Sequence, residues 1–218
     1  GYDGIEICGL PPHITLENHA TAESRRQVVS LLEQNGLSVS GYAADFTRVN
    51  PLAAANRQKY LDLFQRNLEL CVDLGSPGIR VDSVAAPGSI EDADYRAAMS
   101  RLVDIWRDAA AIAHTAGVRV VWEFEPGFAF NKPSEILAIH QQVGHPNFHI
   151  LFDTCHAYMC AVVGARQHGA REVLTGGVAE FLRQLEGRIG AVHVIDSDGT
   201  LHGDETSAHR PFGEGHVP

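Results

Sequence analysis

Two hydrophobic rhythms take turns along this chain. Short apolar runs at Gly4–Cys8, Ser38–Tyr42, Gly78–Val81, Val118–Glu125, His149–Asp153 and Ala191–Asp196 have the length and the Val, Ile and aromatic content of strands. Between them, apolar residues recur at helical spacing. Ala22–Gln34 sets Val28, Val29, Leu31 and Leu32 on one stripe and stops at Asn35-Gly36. Arg57–Leu74 and Tyr95–Ala116 repeat the pattern, the second with Leu102, Ile105, Trp106, Ala109 and Ile112 ahead of Gly117. Pro133 opens a helix over Ser134–Val143, and Val178–Leu185 forms the last. Strands that alternate with helices predict a parallel α/β architecture, because a parallel neighbour needs a crossover connection.

Two parallel architectures compete. A doubly wound sheet usually carries a Gly-rich phosphate turn after an early strand, and this chain has none. A (β/α)8 TIM barrel instead gathers its chemistry at the C-terminal ends of its strands. Ionisable residues fall there: Glu123 and Glu125, Asp153 and His156, then His193 and Asp196 close three consecutive strands. No low-complexity linker or short repeat divides residues 1–218, so a single domain suffices. The connections Ala43–Asn56 and Ser197–Pro218 are long, which suggests site-building or lid roles.

Composition narrows the picture further. With 218 residues, 44% of them hydrophobic, the chain can bury one sizeable core, and it has no apolar run of membrane-spanning length. A net charge of −10 argues against a phosphate-backbone partner, so no nucleic acid and no membrane is expected as partner. A homo-oligomer is allowed. Cys8, Cys71, Cys155 and Cys160 lack CxxC spacing and are expected as reduced thiols in a cytoplasmic protein.

In VRVVWEFEPG (118–127), strand alternation puts Glu123 and Glu125 on one face. There they could serve a cation or a proton transfer; otherwise Glu125 is solvated or holds a loop N–H. In HILFDTCHA, an apolar run delivers Asp153, which then either faces a cation or caps a helix from Thr154. His156 reads as a ligand, a substrate contact or a packed histidine, and Cys155 as a structural thiol. In AVHVIDSDG, His193 lies within the strand, where alone it would read as a core histidine; beside Glu123 and Asp153 it reads as a ligand. Two carboxylates and an imidazole suit one divalent cation, Mn²⁺ or Mg²⁺ first, with Co²⁺ or Zn²⁺ admissible. Such an ion can hold adjacent oxygens of a hydroxy-ketone while a carboxylate moves the α-proton.

The stretches GYDGIEI (1–7), NGLSVSG (35–41), AGVRVVWEFEPG (116–127), GHPNFHILFDTCHA (144–157), AVHVIDSDG (191–199) and HRPFGEG (209–215) together resemble the xylose-isomerase-like TIM-barrel superfamily. It holds sugar (phosphate) isomerases and epimerases together with apurinic-site endonucleases. The resemblance implies one cation held by Glu123, Asp153 and His193, with a final glutamate expected after the GEG loop, past residue 218. It also implies that His156 contacts substrate. GYDGIEI resembles the second strand of the family, so residues 1–218 are expected as one barrel domain lacking its first and last strand units. The endonucleases share DTCHA and a histidine matching His209, but their extra metal-binding histidines have no counterpart in GYAADF (41–46) or IRVDSV (79–84), and Ser207 replaces an aspartate.

These observations predict a cation-dependent isomerase or epimerase of a small sugar or polyol, working through an enediolate. Glu123 is the expected ligand and base, and Asp153 and His193 the other ligands. His156 is expected on a substrate hydroxyl, with Arg80, Glu125 and His209 as outer substrate contacts. A lyase or dehydratase on the same site is the runner-up, ahead of an endonuclease or a non-catalytic polyol-binding module.

Overall fold

Strands β1 (Gly4–Cys8), β2 (Ser38–Ala43), β3 (Gly78–Val81), β4 (Arg119–Glu123), β5 (Phe148–Asp153) and β6 (Ile189–His193) lie in that order in one sheet, every neighbouring pair parallel. The computed structural model describes residues 1–218. Crossovers come from α1 (Ala22–Gln34), α2 (Arg57–Asp73), α3 (Tyr95–Thr115) and α4 (Pro133–Val143). The last crossover combines α5 (Thr154–Tyr158), a π turn over Met159–Val163 and α6 (Gly177–Gln184).

Alternation along the strands sorts the residues into two faces. Ile7, Ile79, Val81, Val120, Trp122, Ile150 and Phe152 point outward and join the main core with the helices. There Trp106 of α3 meets Trp122 at 4.9 Å and Phe148 at 5.5 Å between ring centres. Burying side chains of this size contributes roughly 1.5–3 kcal/mol each, so this outer layer holds the fold. The alternate residues Glu6, Arg80, Glu123, Asp153 and His193 point the other way and contact one another. His193 on edge strand β6 reaches Glu6 on the opposite edge strand β1 at 2.7 Å. The sheet therefore curls into an open barrel with a charged interior.

Beyond shifts of one or two residues at strand ends, the structure departs from the sequence expectation at the end of β4, at β6 and in the tail. Strand β4 stops at Glu123, so Glu125 belongs to the following loop. Strand β6 covers Ile189–His193 and ends before Asp196, because Thr154 takes over the next main-chain groups: its hydroxyl donates to the Ile195 carbonyl at 2.6 Å and accepts from the Ile195 N–H at 2.9 Å. The tail expected as a long loop contains a hairpin, β7 (Asp196–His202) and β8 (Thr206–Arg210), antiparallel and separate from the main sheet. Its turn uses two left-handed residues, Gly203 (φ 58°) and Asp204 (φ 60°), the backbone that tight hairpins favour. The connection Ala43–Asn56 is anchored in the core, with Phe46 stacked on Tyr60 at 5.1 Å and on Phe64 at 6.1 Å.

Candidate functional site

Glu123 ends β4 pointing inward and is only 4% exposed. Its Oε1 accepts from His193 Nδ1 at 2.8 Å, and its Oε2 accepts from Arg80 Nη1. Burial alone would raise its pKa. The His193 hydrogen bond and the Arg80 charge outweigh burial and hold the carboxyl down at about 2. His193 donates from its other nitrogen to Glu6, and the two carboxylate partners, Glu123 first, lift its pKa to about 10. Arg80 also lies 3.9 Å from Asp82, whose carboxyl burial pushes up to about 6 despite that guanidinium. A line of alternating charge thus runs Glu6, His193, Glu123, Arg80, Asp82 across the barrel interior.

Asp153 realises both roles that its position in the sequence allows. Oδ1 accepts the main-chain N–H of His156 at 2.9 Å and caps α5, while Oδ2 lies 3.7 Å from His193 Nδ1. The cap turns His156 inward. Its Nδ1 pairs with Ser207 Oγ at 2.8 Å, and its Nε2 stands 3.8 Å from Glu125 Oε2. Glu125 in turn accepts from the Thr206 hydroxyl. The hairpin thereby supplies Thr206 and Ser207, neither of which has a sequence motif to mark it, and sets exposed His209 at 5.2 Å between ring centres from His156.

One ligand atom each from Glu123, Asp153 and His156 lies within 4.8 Å of the other two, with His193 beside both carboxylates. Atoms of Asp153, Cys155 and His209 meet the same limit. The carboxylates of Glu6, Asp82, Glu123, Glu125 and Asp153 outnumber the guanidinium of Arg80 and the imidazolium of His193. An oxygen- and imidazole-rich donor set in that excess of negative charge fits a hard or borderline divalent cation.

The other residues that the sequence singles out have these surroundings. Arg80 is committed to Glu123 and Asp82, and its buried Nε has no partner. Asp196 accepts the N–H groups of Ser197 and Val217 on one oxygen and of Gly213 and Gly215 on the other, so it organises the GEG loop. Cys155 is buried, with its thiol on the Ala208 carbonyl, and all four cysteines are free. Glu6 was missed, although its place between outward-facing Ile5 and Ile7 carries the alternation signal. No helix is long and apolar enough to cross a membrane.

An open parallel α/β barrel with acidic and imidazole groups converging at its C-terminal strand ends defines a class of barrel proteins. The chain belongs to the xylose isomerase-like TIM barrel family, whose model matches residues 1–218. Among solved structures it is similar to a D-tagatose 3-epimerase-like protein, with 20% identity, TM-score 0.76, and coverage of 100% of this chain and 74% of that one. The probable 3-DHS dehydratase AsbF from Bacillus anthracis matches at 18% identity and TM-score 0.69, over 100% of this chain and 76% of the other. An AP endonuclease, family 2, from Brucella melitensis matches at 16% identity and TM-score 0.69, over 94% and 73%. At these identities the likeness establishes the fold. No curated protein matches the chain.

Proposed function

We propose that the protein is a divalent-cation-dependent isomerase or epimerase of a small keto-sugar or polyol, acting by proton transfer next to a carbonyl. The observation that carries this reading is the convergence of Glu123, Asp153, His156 and His193 inside the barrel. Glu123, Asp153 and His193 would hold the cation, His193 after giving up the extra proton that Glu123 and Glu6 hold on it, with His156 near enough to the two carboxylates to share in ligation or to meet a substrate hydroxyl. A bound cation supplies polarisation of the substrate carbonyl and charge stabilisation as the α-proton leaves. A carboxyl held near 2 is a firm ligand and a weak base, so proton acceptance by Glu123 requires Arg80 and His193 to loosen their grip. Glu125, next to His156 and outside that grip, is the second proton-acceptor candidate. The neighbouring folds of an epimerase-like protein and a dehydratase are compatible with enolate chemistry, and the net charge of −10 favours a small substrate over nucleic acid.

The test joins elemental analysis to solvent-deuterium exchange on a panel of ketoses. The expected result is about one divalent ion per chain and deuterium at the carbon next to the carbonyl. Glu123→Gln should lose the ion and lower exchange at least about 100-fold, the scale of general base catalysis. Full exchange and full metal content in that variant would remove Glu123 from the site. Loss of water from the substrate would select the dehydratase reading, and three zinc ions per chain the nuclease.

A further inference from the structure

Beside the carboxylate cluster lies a second feature, of which the proposed chemistry uses only Glu125. A cavity of about 330 Å³ opens between the loops after β3 and β4, the segment after the π turn and the β7–β8 hairpin. Its lining includes Val84, Glu125, Gly127, Phe128, Arg166 and Thr206. That volume falls at the low end of small-molecule sites, which span about 300–1,000 Å³. Glu125 ties it to the cluster, since its carboxylate stands 3.8 Å from His156 Nε2.

The cavity is held by costly backbone. Only four non-glycine residues have positive φ, and two of them, Val84 (62°) and Arg166 (53°), line this one space. For a β-branched valine that conformation is a genuine outlier, and such strain gathers where a ligand is positioned. Arg166 is half-buried, and both its hydrogen bonds come from Nη1, to the main-chain carbonyls of Glu205 at 2.8 Å and Pro126 at 3.4 Å. These carbonyls fix the guanidinium without neutralising it, and they leave Nη2 and Nε free for a forked contact. The lining thus carries both signs of charge, the carboxylate of Glu125, which reaches the cluster, and the guanidinium of Arg166.

We infer that this cavity receives the far end of the substrate and that Arg166 binds an anionic group there, a carboxylate or a phosphate. The inference rests on the proposed sugar chemistry and narrows it to acidic or phosphorylated keto-sugars. Three ligands with one carbon skeleton separate the cases: D-fructose, D-fructuronate and D-fructose 6-phosphate. Binding is measured by calorimetry with Mn²⁺ present, for the full chain and for Arg166→Gln and Arg166→Lys.

The expected result is that one of the two anions binds at least about tenfold tighter than D-fructose. Arg166→Gln should abolish that preference, Arg166→Lys should restore part of it, and both should keep Mn²⁺ binding. The arm that wins identifies carboxylate or phosphate. Equal binding of all three ligands, no binding of either anion, or a preference that survives in Arg166→Gln overturns the inference. Mn²⁺ binding and deuterium exchange report separately on the cluster, so failure of the anion site leaves that reading standing, and the reverse also holds.

Discussion

Asp153 divides its two oxygens between folding and chemistry, and substitutions can separate the two. Asparagine is nearly as good a helix cap as aspartate, whereas alanine typically costs about 1 kcal/mol. Asp153→Asn is therefore expected to keep most of the wild-type stability while losing cation binding. Asp153→Ala should lose both, as read by urea unfolding and calorimetry. His193 offers a second test at this scale. Its pKa rises from the ordinary 6.5 to about 10, so the folded chain holds the proton more tightly than the unfolded one. That stabilisation is complete below about 6.5 and is lost as pH climbs through about 10. Glu123 runs the other way, with its contribution complete above about 4.5 and lost as pH falls toward about 2. In chelator-treated protein, the melting midpoint should fall between pH 6.5 and 10, and His193→Asn should flatten that slope. An unchanged slope would place the titration elsewhere.

At the scale of elements, the β7–β8 hairpin shapes the site from outside the barrel. It contributes Thr206 to Glu125 and Ser207 to His156, so its register sets where those two side chains stand. Thr206→Val combined with Ser207→Ala should cut deuterium exchange at least about tenfold. The accompanying loss of stability should stay below about 3 kcal/mol per buried group left unpaired, measured by urea melts. This hairpin was illegible in the sequence because DSDGTLHGDETSAHR is polar apart from Leu201 and Ala208. Its strands are held by pairing across a turn, and burial leaves no periodic mark there. The barrel strands were legible for the opposite reason: short apolar runs mark them, and ionisable residues gathered near their C-terminal ends pointed to Glu123, Asp153 and His193. Glu6 lies in such a run too, but its partner His193 lies 187 positions away, and a contact between opposite sheet edges has no local signature. The extra length assigned to β4 came from reading Phe124 and Glu125 as a continuing alternation, when Pro126 and Gly127 already bend the chain away.

Taken as a whole, the molecule keeps its adhesive and its chemistry on opposite sides of one sheet. Apolar contacts fill the layer between strands and helices, while charged groups face the barrel interior. The line from Glu6 to Asp82 starts on one edge strand, passes through the opposite edge strand and returns by way of β4 to β3. A single imidazole is the only rung of that line joining β1 to β6. His193 therefore acts as a latch across the barrel interior, and cutting it removes the tie between β1 and β6. Spin labels at the exposed positions Ile5 (43%) and Val192 (54%) would read the separation of those two strands directly. The distance distribution between them should broaden and lengthen in His193→Ala and stay narrow in Ser207→Ala, whose histidine contact lies off the line.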